Sequence, residues 1–291
     1  MTNNYFLRIF AILTLGLFIS CDNTTDDPPN QNKNTSSSSS SSSGGSSITG
    51  PRILEKVNMG NTTVEEYSST SGVLYQAVIR DNSSSDAITA TLTYNNNKVA
   101  KIKYTDNKPT HIIDHTYLIT YTNGKITSMT LDNPTFNINN HSDFSIFYDS
   151  NGQLYRIVEK KKMGGSSVYT HYIEDKFTFA STNVAKVEHT TMLMDNNAPD
   201  TTTASTIVYA YDSYDSKINP YTTLPKEYLM VTGVLMAQVN FYMLSSNNVG
   251  NITIQSPVGP AIPVPKTYLY DAQNYPVSDQ TQSVKYLYKA L

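Results

Sequence analysis

Cysteine is nearly absent: Cys21 stands alone among 291 residues, so no internal disulfide can form and stability has to come from packing. Tryptophan is missing altogether, while tyrosine occurs 22 times. Charged residues make up only 15% of the chain, and 21 basic against 24 acidic side chains leave it close to neutral. The one basic run, Lys160-Lys161-Lys162, adjoins the turn residues Gly164-Gly165, as a solvated hairpin end does. Phosphate binding needs a concentrated positive face, so the composition argues against a nucleic-acid partner. Catalytic signatures are lacking as well. There is no Gly-x-Ser-x-Gly elbow and no glycine-rich phosphate loop, and the sequence points to no cofactor.

Long apolar runs are also lacking. The stretch from Ile9 to Ile19 is too short for a spanning helix, which needs ~20 residues, but it has signal-peptide length and follows the basic Arg8. It ends in Leu17-Phe18-Ile19-Ser20 before Cys21, a segment that resembles a lipobox with Phe18 where Leu is usual. Residues 1–20 therefore read as a lipoprotein signal peptide, and Cys21 as the lipidation site that holds the mature chain on a membrane.

Residues 21–52 read as the acylated cysteine and a disordered linker, with Pro28-Pro29, the serine run Ser36 to Ser43 and Gly44-Gly45. A coil of about 30 such residues reaches ~30 Å, which lifts the folded part clear of the bilayer. Asp22, Asp26 and Asp27 look like the export signal that sends lipoproteins of the Bacteroidota to the cell surface. In proteobacterial sorting Asp22 would favour retention at the inner membrane instead. The expected location is the outer membrane, lipid-anchored and surface-exposed, with a periplasm-facing anchor as the alternative.

Residues 53–291 carry a repeat. An aromatic residue ends a strand, a polar turn follows, and an aliphatic residue opens the next strand: Tyr94 to Val99, Tyr121 to Ile126, Tyr148 to Leu154. Phe179 with Val184, Tyr211 with Ile218, Tyr242 with Val249 and Tyr270 with Tyr275 continue it, and Tyr67 with Val73 begins it. The opening aliphatic is followed by apolar positions three and then two residues on, as in Val99, Ile102, Tyr104, a step expected where a bulge follows the turn. Elsewhere the strands alternate, with Leu92 and Tyr94 against Thr91 and Thr93, the pattern of an antiparallel sheet wetted on one face. Asn123-Gly124 and Asn151-Gly152 supply positive φ for tight hairpins. The expected fold is mainly β: an antiparallel meander of about eight hairpin units, too many strands for an open twisted sheet and so curled or barrel-like.

Tyr121-Thr122-Asn123-Gly124-Lys125-Ile126, Tyr148-Asp149-Ser150-Asn151-Gly152-Gln153-Leu154 and Tyr211-Asp212 resemble degenerate YD repeats, the hairpin units of Rhs-type β shells. The whole chain is more similar to cell-envelope lipoproteins of the Bacteroidota that combine a lipobox, a polar linker and such repeats. That resemblance implies an architecture and carries over no catalytic residues. Complete shells need many more units, so encapsulation is not implied.

Two stretches break the repeat. Pro225 to Leu244 is apolar on nearly every side, which predicts a short buried helix near 226–238 leading into a strand at about 240. Pro257 to Pro265 cannot donate a full ladder and should be an extended loop or an edge strand. His111 and His115 are weak metal candidates, four apart in a predicted strand and lacking a third ligand. Asp81 to Asp86 and Asp212 with Asp215 could hold calcium but match no known loop, and read as solvated turns. The anchor tyrosines fit a packing role; Tyr155, Tyr169, Tyr172 and Tyr214, off the repeat register, are the candidate contact residues for a glycan or an envelope protein. The leading expectation is a non-catalytic binding or structural module. The alternative is a hydrolase of an envelope or environmental polymer, which predicts a pocket where several of His111, Asp114, His115, His171 and Glu174 converge.

Overall fold

The computed structural model describes residues 50–108, 113–133 and 140–291. Cys21, the linker and His111 lie outside the described residues. Seventeen strands form one antiparallel sheet: β1 (Arg52–Met59), β2 (Thr62–Thr70), β3 (Val73–Arg80), β4 (Ala87–Asn95), β5 (Lys98–Asp106), β6 (Asp114–Thr122), β7 (Lys125–Asn133), β8 (Asn140–Tyr148) and β9 (Leu154–Lys162) lead the order. They are followed by β10 (His171–Ala180), β11 (Asn183–Asp195), β12 (Ala198–Asp212), β13 (Asn251–Gln255), β14 (Ile262–Pro265), β15 (Leu269–Tyr270), β16 (Pro276–Ser278) and β17 (Val284–Ala290). Consecutive strands pair, and β17 returns to pair with β1, Arg52 opposite Ala290 and Met59 opposite Val284. The exception lies between β14 and β15, which share no residue ladder, so the sheet is curled into a ring and left open at that seam.

Local chemistry sets the hairpins. Asn96 and Asn97, Asn123 and Gly124, and Asn196 and Asn197 all take positive φ, the geometry a two-residue hairpin turn requires. The predicted three-then-two step is a bulge. Tyr94 pairs with Val99 but Thr93 with Lys101, and the same single-residue slip follows Tyr121, Tyr148 and Phe179. In the Tyr148 unit the following Asp149 closes the turn, its carboxylate accepting from the N–H groups of Asn151 (2.9 Å) and Gln153 (2.8 Å). Asp271 does the same after Tyr270, for Gln273 (2.9 Å) and Tyr275 (3.0 Å).

Alternation decides which face is dry. Ile88, Ala90, Leu92, Ile102, Tyr104, Tyr117, Ile119, Met129 and Leu131 point inward and are buried. Between them Thr91, Thr93, Lys103, Leu118 and Thr120 point out and are exposed. A membrane-spanning barrel alternates the opposite way, apolar outside and polar within. The outer face here is that of a sheet in water, and among the described residues no helix is long and apolar enough to cross a bilayer.

The interior is filled by the insertion between β12 and β13. A 3-10 helix (Pro220–Thr223), α1 (Lys226–Leu235) and a second 3-10 helix (Gln238–Leu244) run through the ring. The strand expected at about 240 is thus helical: Tyr242 fits the repeat spacing in sequence, yet it sits in the second 3-10 helix, and no hairpin forms there. The wall grips this plug from all sides. The Leu54 N–H on β1 donates to Thr223 Oγ1 (3.0 Å), and Tyr104 on β5 bonds Thr232 (3.0 Å). The ring of Phe177 on β10 meets Phe241 edge-on at 4.8 Å, and the Tyr211 hydroxyl on β12 donates to the Gln238 carbonyl (2.9 Å). Asn219 ties the insertion to itself, accepting from Tyr221 N and donating to the carbonyls of Tyr242 (3.2 Å) and Ser245 (2.8 Å). The proline-rich stretch ends in β14, which pairs with β13 on one side and borders the open seam on the other, where prolines cost no ladder bond.

Candidate functional site

At the end of the ring where the β6–β7, β8–β9 and β10–β11 turns lie, a cleft of about 590 Å³ separates the turns from α1. Its wall is made by the repeat anchors Tyr121, Tyr148 and Phe179; its floor by Glu227, Leu224 and Met230 from the plug. The Tyr121 hydroxyl lies 2.9 Å from the Val99 carbonyl and 3.0 Å from Glu227 Oε1, so strand and helix are fixed against each other through one phenol. Burial, and then the Glu227 carboxylate, push the Tyr121 phenol up, and the same two causes raise Tyr94 to about 12. These tyrosines therefore stay neutral hydrogen-bond donors at any physiological pH. Lysine ammonium groups cap the rings: Lys98 lies 5.0 Å from the Tyr121 centroid and Lys125 5.1 Å from that of Tyr148. Gly152 beside them takes a φ of +81°, the left-handed region that favours glycine.

The cleft thus combines aromatic faces, one carboxylate and two lysines, Lys125 and Lys226. Such a set binds hydroxylated or mixed-charge ligands: ring faces take C–H surfaces, while Glu227 accepts and the lysines donate.

Three of the four off-register tyrosines share one stretch of the outer surface. Tyr155 is the bulge residue of β9, 40% exposed, its ring 6.2 Å from that of Phe147, with the Arg156 guanidinium 4.2 Å from the Phe147 centroid. Tyr172 lies on the same face of β10, opposite Lys160, and Tyr169, just before β10, hydrogen-bonds Asp143 on β8. Tyr214 turns inward instead: its hydroxyl donates to the Val184 carbonyl (2.7 Å) and meets Ser245 (3.0 Å).

The residues on which the hydrolase alternative depends are dispersed. Asp114 faces outward and pairs with Lys103 (3.1 Å); Glu174 faces outward between Lys176 (3.1 Å) and Arg156 (3.5 Å). His115 faces inward, 2.7 Å from Asn133, while His171 bonds its neighbour Thr170 (2.9 Å). The pocket that alternative required is absent among the described residues, because one-residue steps along a strand send neighbours to opposite faces. No group of three metal ligands occurs among the described residues either, and the turn carboxylates are occupied: Asp81 accepts from Ser83 and Ser84, and Asp215 from Lys217 N and Asn248 N. Glu227 escaped attention in the sequence because it sits in an apolar stretch with no motif around it.

Among the solved structures similar to this chain are two from Bacteroides. One is a porin-like protein from Bacteroides vulgatus, 11% identical over 83% of this chain and 100% of that one, with a TM-score of 0.49. The other is a porin-like protein from Bacteroides uniformis, 12% identical over 82% of this chain and 99% of that one, with a TM-score of 0.36. No family model and no curated protein matches. The chemistry of the cleft therefore has to be read from its own residues.

Proposed function

We propose that this chain is a lipid-anchored protein of the cell envelope, tethered to the outer membrane through Cys21, and that its plugged β ring is a non-catalytic module that binds glycan in the rim cleft. The carrying observation is the cleft itself: tyrosine rings, Glu227 and two lysines arranged around about 590 Å³. The water-facing outer strands support a tethered body over a spanning one. A glycan array probed with the purified chain is expected to return a reproducible set of hits, and silence across the array would sink the glycan reading. Anchoring is tested separately. Labelled palmitate should enter the expressed protein and be lost in Cys21→Ala, whereas absent or unchanged labelling would remove the tether. Added protease then separates a surface-exposed ring, which is cut in whole cells, from a periplasm-facing one.

A second reading, recognition of an envelope protein, draws on the outer face of β8 to β10, where Tyr155, Phe147, Arg156 and Tyr172 lie together. Aromatic residues and arginine dominate protein hot spots, which makes this face the place to look should the cleft prove empty of glycan.

A further inference from the structure

A second cavity, of about 310 Å³, lies beside the open seam, bounded by β17, β1, β2 and the Lys266 linker between β14 and β15. It is a different space from the rim cleft. Adjacent residues of one 3-10 helix face the two: Tyr221 lines this cavity and Thr222 the cleft. Glu65 stands in its wall, 4% exposed, with one oxygen well used and the other barely. Oε2 accepts from the Tyr67 hydroxyl (2.7 Å) and the Tyr221 hydroxyl (3.1 Å), while Oε1 has only a long contact to Tyr221 (3.3 Å). Opposite in charge is Lys266, whose ammonium lies 4.8 Å from the Tyr242 ring centroid and makes no ion pair or side-chain hydrogen bond with any described residue. Tyr286, Asn82 and Ser283 complete the polar lining. Glu65 is thus a buried carboxylate with acceptor capacity to spare, and the half-buried Lys266, close enough to attract it, presents an ammonium to the same cavity.

We propose that this cavity is a binding site for a single neutral sugar ring, held between Glu65 and Lys266. A sugar hydroxyl both donates and accepts, so one ring can give a hydrogen to Glu65 Oε1 and take one from Lys266 Nζ while its C–H face lies on Tyr242 or Tyr286. The lining charges cancel, which disfavours a ligand with net charge of either sign. The volume is at the lower end of small-molecule pockets, about 300–1,000 Å³, which admits one ring and excludes a chain.

Saturation-transfer NMR on the full chain with glucose, galactose, mannose and N-acetylglucosamine, alongside alanine and inorganic phosphate, tests this. At least one sugar should bind, and its affinity should fall about tenfold or more in Lys266→Met, which removes the ammonium and keeps an unbranched side chain of similar length, and likewise in Glu65→Gln. In Tyr148→Ala, which removes a stacking face of the rim cleft, the sugar should still bind and should still lose about tenfold in affinity when Lys266→Met is added, so failure of the cleft reading and failure of this one are separable. No sugar signal, binding of alanine or phosphate in place of sugar, or sugar binding untouched by Lys266→Met would each overturn the proposal. Should Glu65→Gln not fold, Lys266→Met decides alone.

Discussion

Single residues explain much of how the wall holds its register. Tyrosine at the strand end buries a ring and spends its hydroxyl on a backbone carbonyl one hairpin back: Tyr94 on Leu74 (2.7 Å), Tyr121 on Val99 (2.9 Å). Each such bond contributes about 1 kcal/mol net, and it tells the chain which unit lies beside which. His115 shows the opposite economy. Burial first, and then the charge of Lys161, lower its pKa from 6.5 to about 4, against the pull of Asp114 and Asp106. The sign follows directly. A lowered histidine contributes stability that is complete above pH 6.5 and is lost as pH falls toward about 4, at roughly 1.4 kcal/mol per unit through that window. Glu65, Glu159 and Asp175 act against it, since burial raises each above its ordinary value and their contribution is lost as pH rises. His115→Gln isolates the histidine: urea midpoints at pH 7 and pH 4.5 should differ less in the variant than in the parent. Parallel pH curves for the two would contradict this assignment.

Elements were legible in the sequence to the extent that they repeat. The spacing of Tyr94, Tyr121, Tyr148 and Phe179 and the step after Val99 and Ile126 predicted hairpins and their bulges, because turn geometry, bulge and alternation all write themselves into neighbouring residues. The proline stretch likewise announced an edge. The plug did not announce its second half. Residues 238–244 are apolar apart from Gln238 and Asn240, because wall, α1 and the cavities surround them, which blurs the period that would distinguish helix from strand. The packing there is tight enough to test: a Cβ on Gly233 of α1 would come within 2.4 Å of Phe241 Cε1. Gly233→Leu should therefore cost about 3 kcal/mol or more, in the range of an overpacked core, read as a fall in the urea midpoint. Gly233→Leu with Phe241→Ala should recover part of that loss, and an unaffected midpoint in the single variant would show the plug to be loose.

The whole molecule is a ring that avoids two hazards at once. Pairing β17 with β1 removes one pair of edges, and the remaining gap is bordered by short strands in which Pro263 and Pro265 withhold N–H groups. Exposed Ile262 and Leu269 flank that gap, and the prolines deny a second copy the N–H groups it would need to pair there. Pro263→Thr with Pro265→Thr is expected to raise the mass in light-scattering chromatography above that of the parent; an unchanged mass would assign the edge protection elsewhere. The sites, unlike the fold, could not be read along the chain. Glu227 joins Tyr121 and Tyr148, and Glu65 joins Lys266, only because the plug is threaded through a ring that closes on itself.

The claim most exposed to refutation is that the rim cleft binds glycan. Calorimetric titration of the best array hit into the full chain, and into Tyr148→Ala and Glu227→Gln, tests it most directly. Affinity should drop about tenfold or more in both variants, as expected when a stacking face or a half-buried acceptor is removed, with thermal midpoints close to that of the parent. Equal affinity in all three proteins would place the glycan elsewhere and contradict the account.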